Sequence, residues 1–258
     1  MTIIVGILCK DGVVIGADSA ATFHAGQMRT IEQVTKKIEI VADRVIVATS
    51  GAGGLGQRFA AVVEQAWQSK IFTKPAIEVG KALSAAGIND FASTDAPKGN
   101  FGALVAFPCQ QKPCLVEFGV TDFQPELKTK HIWYVSMGSG QTIADPFLGL
   151  MREAFWDEGV PSCKDAEFVV TWILSQAIKL NPGGVNGPMQ VAVLQSVGGN
   201  FAARVLDDPE ISGHEENVEG LVQHMRKYRD KLRGVKVDDA PDVPKPVEAA
   251  ASAGKAAA

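Results

Sequence analysis

Tyrosine and histidine are scarce in this chain, at 2 and 4 copies, and aromatic residues together make up only 7% of it. The 4 cysteines, Cys9, Cys109, Cys114 and Cys163, show neither C-x-x-C spacing nor a histidine pair at metal-ligand spacing. That argues against a zinc site or a disulfide framework and for reduced thiols in a cytoplasmic protein. The histidines (His24, His131, His214, His224) form no H-E-x-x-H, and no serine sits in a G-x-S-x-G elbow. No stretch approaches the roughly 18 consecutive apolar residues of a membrane-spanning helix. Thr2–Leu8 is apolar, but no basic region precedes it and Lys10-Asp11 follows at once, the wrong flanks for a secretory signal. Neither sign of charge dominates. With 25 Lys and Arg against 29 Asp and Glu the net charge is −4, so neither a broad nucleic-acid surface nor a membrane partner is expected.

What is present is an ordinary globular composition: 258 residues, 46% hydrophobic, 21% charged, enough for a substantial core. Thr2–Leu8 and Val13–Ala17 are β-rich runs joined by Lys10-Asp11-Gly12, whose Asp-Gly favours a tight hairpin. A polar stretch then leads to Lys37–Val41 and Arg44–Thr49, a second hairpin around Asp43. Helical spacing follows over Arg58–Ser69, and a second helix over Pro75–Phe91 has proline in its first turn. Further strands are expected at Phe101–Phe107, Cys114–Val120, near Phe123 and at Ile132–Ser136. Helices are expected at Thr142–Trp156 and Ala166–Leu180, and closing strands at Met189–Ser196 and Phe201–Leu206. A doubly wound parallel sheet would alternate strand with helix throughout. This order instead predicts an α+β fold: two antiparallel sheets face to face with helices outside, a four-layer αββα sandwich. That domain is expected over residues 2–207. Residues 208–234 read as an amphipathic helix with Val218, Leu221, Val222, Met225, Tyr228 and Leu232 on one stripe, and residues 235–258, rich in Ala, Pro and Asp, as a flexible tail.

Met1-Thr2 carries the first chemical signal. An initiator methionine before a small residue is commonly removed, leaving Thr2 with a free α-amine. Such a residue holds a nucleophile and a base together: Oγ1 attacks and the amine accepts its proton. The amine's reference pKa of about 7.7–8.0 needs only a modest downward shift to serve near neutral pH.

The segments Thr2-Ile3-Ile4-Val5-Gly6, Lys10 to Ser19, Lys36-Lys37-Ile38 and Ala48-Thr49-Ser50-Gly51 resemble the opening of proteasome β-type subunits and of HslV-type peptidases. Gly138-Ser139-Gly140 matches again later. The resemblance implies an N-terminal-nucleophile hydrolase fold, with bacterial proteasome homologues closest in appearance. It implies that Thr2 is the catalytic threonine and that Asp18 pairs with Lys37, whose charge lowers the pKa of the Thr2 amine. It implies that the Gly51 N–H binds the oxyanion and that Ser139 hydrogen-bonds near the amine. Lys36 is the rival to Lys37. Strand alternation would put Lys36 on the face of Ile38 and Ile40 and Lys37 on that of Glu39, and the family pattern selects Lys37. Departures are visible. The family's late Asp and Ser fall on Lys179 and Pro182, and the arginine that follows Asp-Ser is replaced by Ala20.

The implied activity is that of a threonine endopeptidase degrading unfolded polypeptide inside stacked homo-oligomeric rings, a tetradecamer favoured over a dodecamer, with an ATPase unfoldase as a possible partner. No metal or organic cofactor is required. Two other readings compete: a non-catalytic ring scaffold, opposed by a first strand that starts at Thr2, and an amidohydrolase acting on small amides. Gly51-Ala52-Gly53-Gly54-Leu55-Gly56 also fits G-x-G-x-x-G after a strand and before a helix. Two hairpins precede it, however, and Lys70–Glu78 reads as loop and helix where a nucleotide fold needs a second parallel strand.

Overall fold

Strands β1 (Ile4–Leu8) and β2 (Gly12–Ala17) pair antiparallel through the short turn at Lys10-Asp11. A second hairpin, β3 (Ala20–Ala25) with β4 (Met28–Val34), occupies the stretch that reads as merely polar in sequence. Its strands mix exposed apolar side chains (Phe23, Met28, Ile31, Val34) with polar ones, so no buried face marks them. The next pair, β5 (Ile38–Val41) and β6 (Val45–Gly51), turns at Ala42 and Asp43, both with positive φ (51° and 52°), as a tight hairpin turn requires. Helices α1 (Gly53–Gln68) and α2 (Ala76–Ala92) follow. The chain then returns as β7 (Phe101–Cys109), β8 (Lys112–Phe118), β9 (Pro125–Leu127) and β10 (Tyr134–Met137). Helices α3 (Gln141–Phe155) and α4 (Cys163–Leu180), strands β11 (Gln190–Val197) and β12 (Asn200–Val205), and helix α5 (Asp208–Leu232) complete it. This computed structural model describes residues 2–25, 28–94, 101–156, 159–180 and 184–233. Pro182 and the segment 235–258 lie outside the described residues.

The strands form two five-stranded antiparallel sheets, ordered β10-β1-β2-β11-β12 and β5-β6-β7-β8-β9, plus the separate β3-β4 pair. Strand alternation feeds two cores at once. Along β6, Val45 and Val47 join α1 and α2 on the outer face, while Ile46 and Ala48 face the other sheet. Phe101, Ala103, Val105 and Phe107 of β7 do the same against Leu104 and Ala106. Phe59 of α1 centres the outer core, edge-on to Phe101, Phe118 and Phe123 at 5.8, 5.5 and 5.2 Å. On the far side α4 lies against β2, where a Cβ on Gly16 would stand 2.3 Å from Val170 Cγ1. The result is the four-layer αββα sandwich.

Phe123 is not in a strand. Its φ of +58° makes it a turn residue, and β9 starts only at Pro125. All four cysteines are free, and burial together with the neighbouring Cys109 thiol pushes Cys114 up to about 12. Among the described residues no helix is long and apolar enough to cross a membrane. The chain divides into two compact units, through Leu206 and from Asp207 onward. In the second, Asp207 and Glu210 form a reciprocal capping box (2.9 and 3.0 Å), which fixes the start of α5 ahead of the first residue of its apolar stripe. Met225, Tyr228 and Leu232 of that stripe are exposed.

Candidate active site

Antiparallel pairing sets the geometry. Because Ile4 faces Ala17 in the β1–β2 register, the residues just before β1 lie beside those just after β2. Asp18 N–H donates to the Ile3 carbonyl (3.2 Å), and Ile3 N–H donates to Asp18 Oδ1 (2.9 Å). Lys37 arrives from the other sheet, one residue ahead of β5. Its Nζ donates to Asp18 Oδ1 at 2.7 Å and to Thr2 Oγ1 at 3.2 Å. Asp18 Oδ2 accepts from Ala20 N–H (3.1 Å) and Asn186 N–H (3.4 Å), so the carboxylate is met by four donors.

Burial makes these contacts consequential. Asp18 is 0% exposed, Lys37 8% and Thr2 9%. Two charges withdrawn from water this far persist only when paired and hydrogen-bonded, as these are. Burial lowers the Lys37 pKa from its ordinary value, while the Asp18 charge and hydrogen bond, with a smaller contribution from Glu32, oppose the shift.

Ser139, between β10 and α3, stands on the other side of Thr2. Its Oγ accepts from Thr2 N–H at 3.1 Å and donates to the Thr2 carbonyl at 3.4 Å, and Gly140 N–H donates to that carbonyl at 3.1 Å. Gly138 has φ +90°, and a Cβ there would lie 2.3 Å from Thr2 O, so only glycine fits. The same Cβ would lie 3.2 Å from Ser50 Oγ, which brings the end of β6 beside Thr2. Gly51 ends that strand, exposed, with φ +112°.

The structure thus gathers Thr2, Asp18, Lys37 and Ser139 into one hydrogen-bonded cluster, and Gly51 follows Ser50 at the end of β6. Thr2 N is a peptide nitrogen while Met1 is attached. Removing Met1 would turn it into an α-amine with Ser139 Oγ already in reach.

Strand parity does not choose between the two lysines. The strand begins at Ile38, so alternation does not extend to Lys36 and Lys37, and Lys37 is buried together with Ile38. Lys36 is exposed and pairs with Glu39 at 2.7 Å. What orients Lys37 is Gln190, at the head of β11. Its Oε1 accepts from the N–H groups of Lys37 (3.1 Å) and Ile38 (3.3 Å), and its Nε2 donates to Ser19 Oγ (2.6 Å) and the Thr35 carbonyl (2.8 Å). Gln190 and Asn186 escape sequence reasoning. The one signal present is a glutamine opening a strand whose next four residues are apolar. Lys179 is exposed in the last turn of α4 and takes no place in the cluster, whereas Ala20 contributes its backbone N–H.

The glycine run at residues 51–56 has a packing explanation in part. A Cβ on Gly56 would meet Thr49 Oγ1 at 2.7 Å, so α1 can lie close on β6 only with glycine there. After α1 and α2 the chain re-enters the sheet antiparallel to β6, which excludes the parallel βαβ unit of a nucleotide-binding fold.

A family model described as proteasome subunit matches residues 2–80. No curated protein matches this chain. Among solved structures the chain is similar to an Anbu (Gly-1) mutant from Hyphomicrobium sp. strain MC1, at 12% identity and a TM-score of 0.67, over 93% of this chain and 100% of that one. At that identity the likeness bears on the fold alone. The matched segment is under a third of the chain and contains Thr2, Asp18, Lys37 and Gly51.

Proposed function

We propose that the chain is a threonine endopeptidase of the N-terminal-nucleophile type. The observation that carries this reading is the Lys37 Nζ placed between Asp18 Oδ1 and Thr2 Oγ1. With Met1 removed, the Thr2 amine takes the Oγ1 proton and Oγ1 attacks a peptide carbonyl, forming a tetrahedral intermediate. The Gly51 N–H donates to the oxyanion, an interaction typically worth a factor of about 10²–10³ in rate. The amine passes its proton to the leaving nitrogen and then activates water to release the ester. Lys37 stays charged through Asp18 and disfavours a second positive charge nearby, so it lowers the pKa of the Thr2 amine. Ser139 orients that amine.

The substrate in this reading is unfolded polypeptide, and the chain encloses its sites in stacked homo-oligomeric rings, heptameric rather than hexameric, in the cytoplasm, with an ATPase unfoldase as partner. The proteasome-subunit match and the fold likeness support self-assembly. The test pairs light scattering with hydrolysis of a fluorogenic peptide by wild type and Thr2→Ala. Ring-sized particles in both and turnover in wild type alone are expected. A monomer, or turnover by carefully purified Thr2→Ala, would refute the proposal.

A further inference from the structure

Glu32, on β4, takes no part in the chemistry described above, yet it reaches the candidate active site by two routes. The first is a chain of hydrogen bonds. The β3–β4 hairpin starts directly after Asp18 and Ser19, and its first residue, Ala20, gives its N–H to Asp18 Oδ2. Glu32 lies opposite Thr22 in that hairpin, half-buried, and its Oε1 accepts from Asn186 Nδ2–H at 2.7 Å.

Asn186 is engaged at every polar atom. Its backbone N–H donates to Asp18 Oδ2 (3.4 Å), its carbonyl accepts from Ser19 N–H (3.1 Å), and its Oδ1 accepts from Gly187 N–H (2.9 Å). The bond to Glu32 is what ties this residue, and with it a donor to the buried carboxylate, to β4. The second route is charge. Lys37 follows Glu32 by five residues, and the Glu32 carboxylate favours its protonated form alongside the larger effect of Asp18. The ionisable groups about Lys37 are therefore Asp18 after β2, Glu32 on β4, and the Thr2 amine once Met1 is gone. Lys36 and Glu39, its neighbours in the chain, pair with each other.

We propose that Glu32 is a positioning residue of the active site, which holds Asn186 on Asp18 and supplies a second negative charge that keeps Lys37 protonated beside Thr2. The inference rests on the reading of Thr2 as nucleophile and Lys37 as the cation that tunes its amine. Glu32 does not touch the reacting atoms in this account. It offsets the burial that works against the Lys37 charge, a task that falls mainly on Asp18.

The test compares the full-length wild type with Glu32→Gln and Glu32→Ala, using an uncharged fluorogenic peptide across roughly pH 6 to 10. Glu32→Gln keeps an oxygen for Asn186 Nδ2–H and removes only the charge. Lys37 then loses its proton at lower pH, so the alkaline limit of kcat/KM should fall by about half a pH unit, roughly threefold in rate at a fixed pH above that limit. The acid limit should not rise, because Lys37 is still charged there. Glu32→Ala also removes the acceptor and should lower kcat at the optimum, with Glu32→Gln restoring most of it. Glu39→Gln, which takes a carboxylate from Lys36 instead, should leave both limits in place. An alkaline limit in Glu32→Gln equal to that of wild type would overturn the proposal. So would an effect confined to KM for a peptide with arginine before the scissile bond, which would make Glu32 a substrate contact. Urea unfolding across the same pH range reads the coupling without turnover. Burial lowers the Lys37 pKa in the fold, so its deprotonation adds stability as pH rises, and that gain should set in at lower pH in Glu32→Gln. An inactive wild type would refute the peptidase reading, whereas coincident unfolding profiles would refute the coupling of Glu32 to Lys37. Should Glu32→Ala fail to fold, Glu32→Gln decides alone.

Discussion

Replacing Asp18 by Asn changes one charge at the most buried point of the candidate site. Asn retains a carbonyl that can accept from Ile3 N–H and Lys37 Nζ, but its amide group donates, and Oδ2 now accepts from Ala20 and Asn186 N–H. Removing one partner of a buried ion pair typically costs about 3–5 kcal/mol, and each backbone donor left unmet adds roughly 1–3 kcal/mol. Lys37 feels the loss most. Burial already lowers its pKa and Asp18 is the main opposing influence, so in Asp18→Asn that pKa falls further and Lys37 loses its proton at lower pH. Once Lys37 is neutral it no longer disfavours the protonated Thr2 amine, which then keeps its proton to higher pH. The alkaline limit of activity moves down and the acid limit moves up, so the active window narrows from both sides. On either flank, a limit displaced by about one pH unit changes the competent fraction of enzyme roughly tenfold. The assay is hydrolysis of a fluorogenic peptide across roughly pH 6 to 9, beside a urea unfolding curve for both proteins. A wild-type pH profile in a folded Asp18→Asn enzyme would refute the electrostatic account.

Lys37→Ala should nearly abolish activity, while Lys36→Ala, which removes an exposed pair of the kind worth about 0–1 kcal/mol, should leave kcat/KM within a few-fold of wild type in the same assay. Gly138→Ala forces a Cβ against the Thr2 carbonyl at a positive φ and should destabilise the chain and disable it, as read by thermal melting and turnover. Gln190→Ala leaves the N–H groups of Lys37 and Ile38 without their acceptor. It should cost about 1–3 kcal/mol in urea unfolding and lower kcat more than it changes KM.

The layered fold is readable because its central strands are short continuous apolar runs, buried on both faces, and its helices carry apolar residues at period 3.6, and because the order of elements excludes a parallel sheet. The β3–β4 hairpin is not readable, since Phe23, Met28, Ile31 and Val34 are exposed and no buried face organises the pattern. Thr2 stands out in sequence by its place after Met1, but Asp18 and Lys37 stand out only through resemblance to a family. Nothing local distinguishes Lys37 from Lys36, because the backbone that directs them is irregular and is held by Gln190 from more than 150 residues away. Asn186 escapes for a related reason: it serves Asp18 through its backbone N–H, and a side-chain pattern cannot reveal that. Ser139 too stands out only through that resemblance; Gly138 and Gly140 beside it are glycines that Thr2 and Ile3 leave no room to replace.

The central claim is that Thr2, freed of Met1, is the nucleophile. Intact mass spectrometry of the purified chain after reaction with a peptide epoxyketone, followed by peptide mapping, tests it most directly. The account predicts a chain lacking Met1 that gains one inhibitor mass, located on Thr2, and no adduct in Thr2→Ala. A chain that retains Met1 and still cleaves peptides, or an adduct mapped to any other residue, would contradict it.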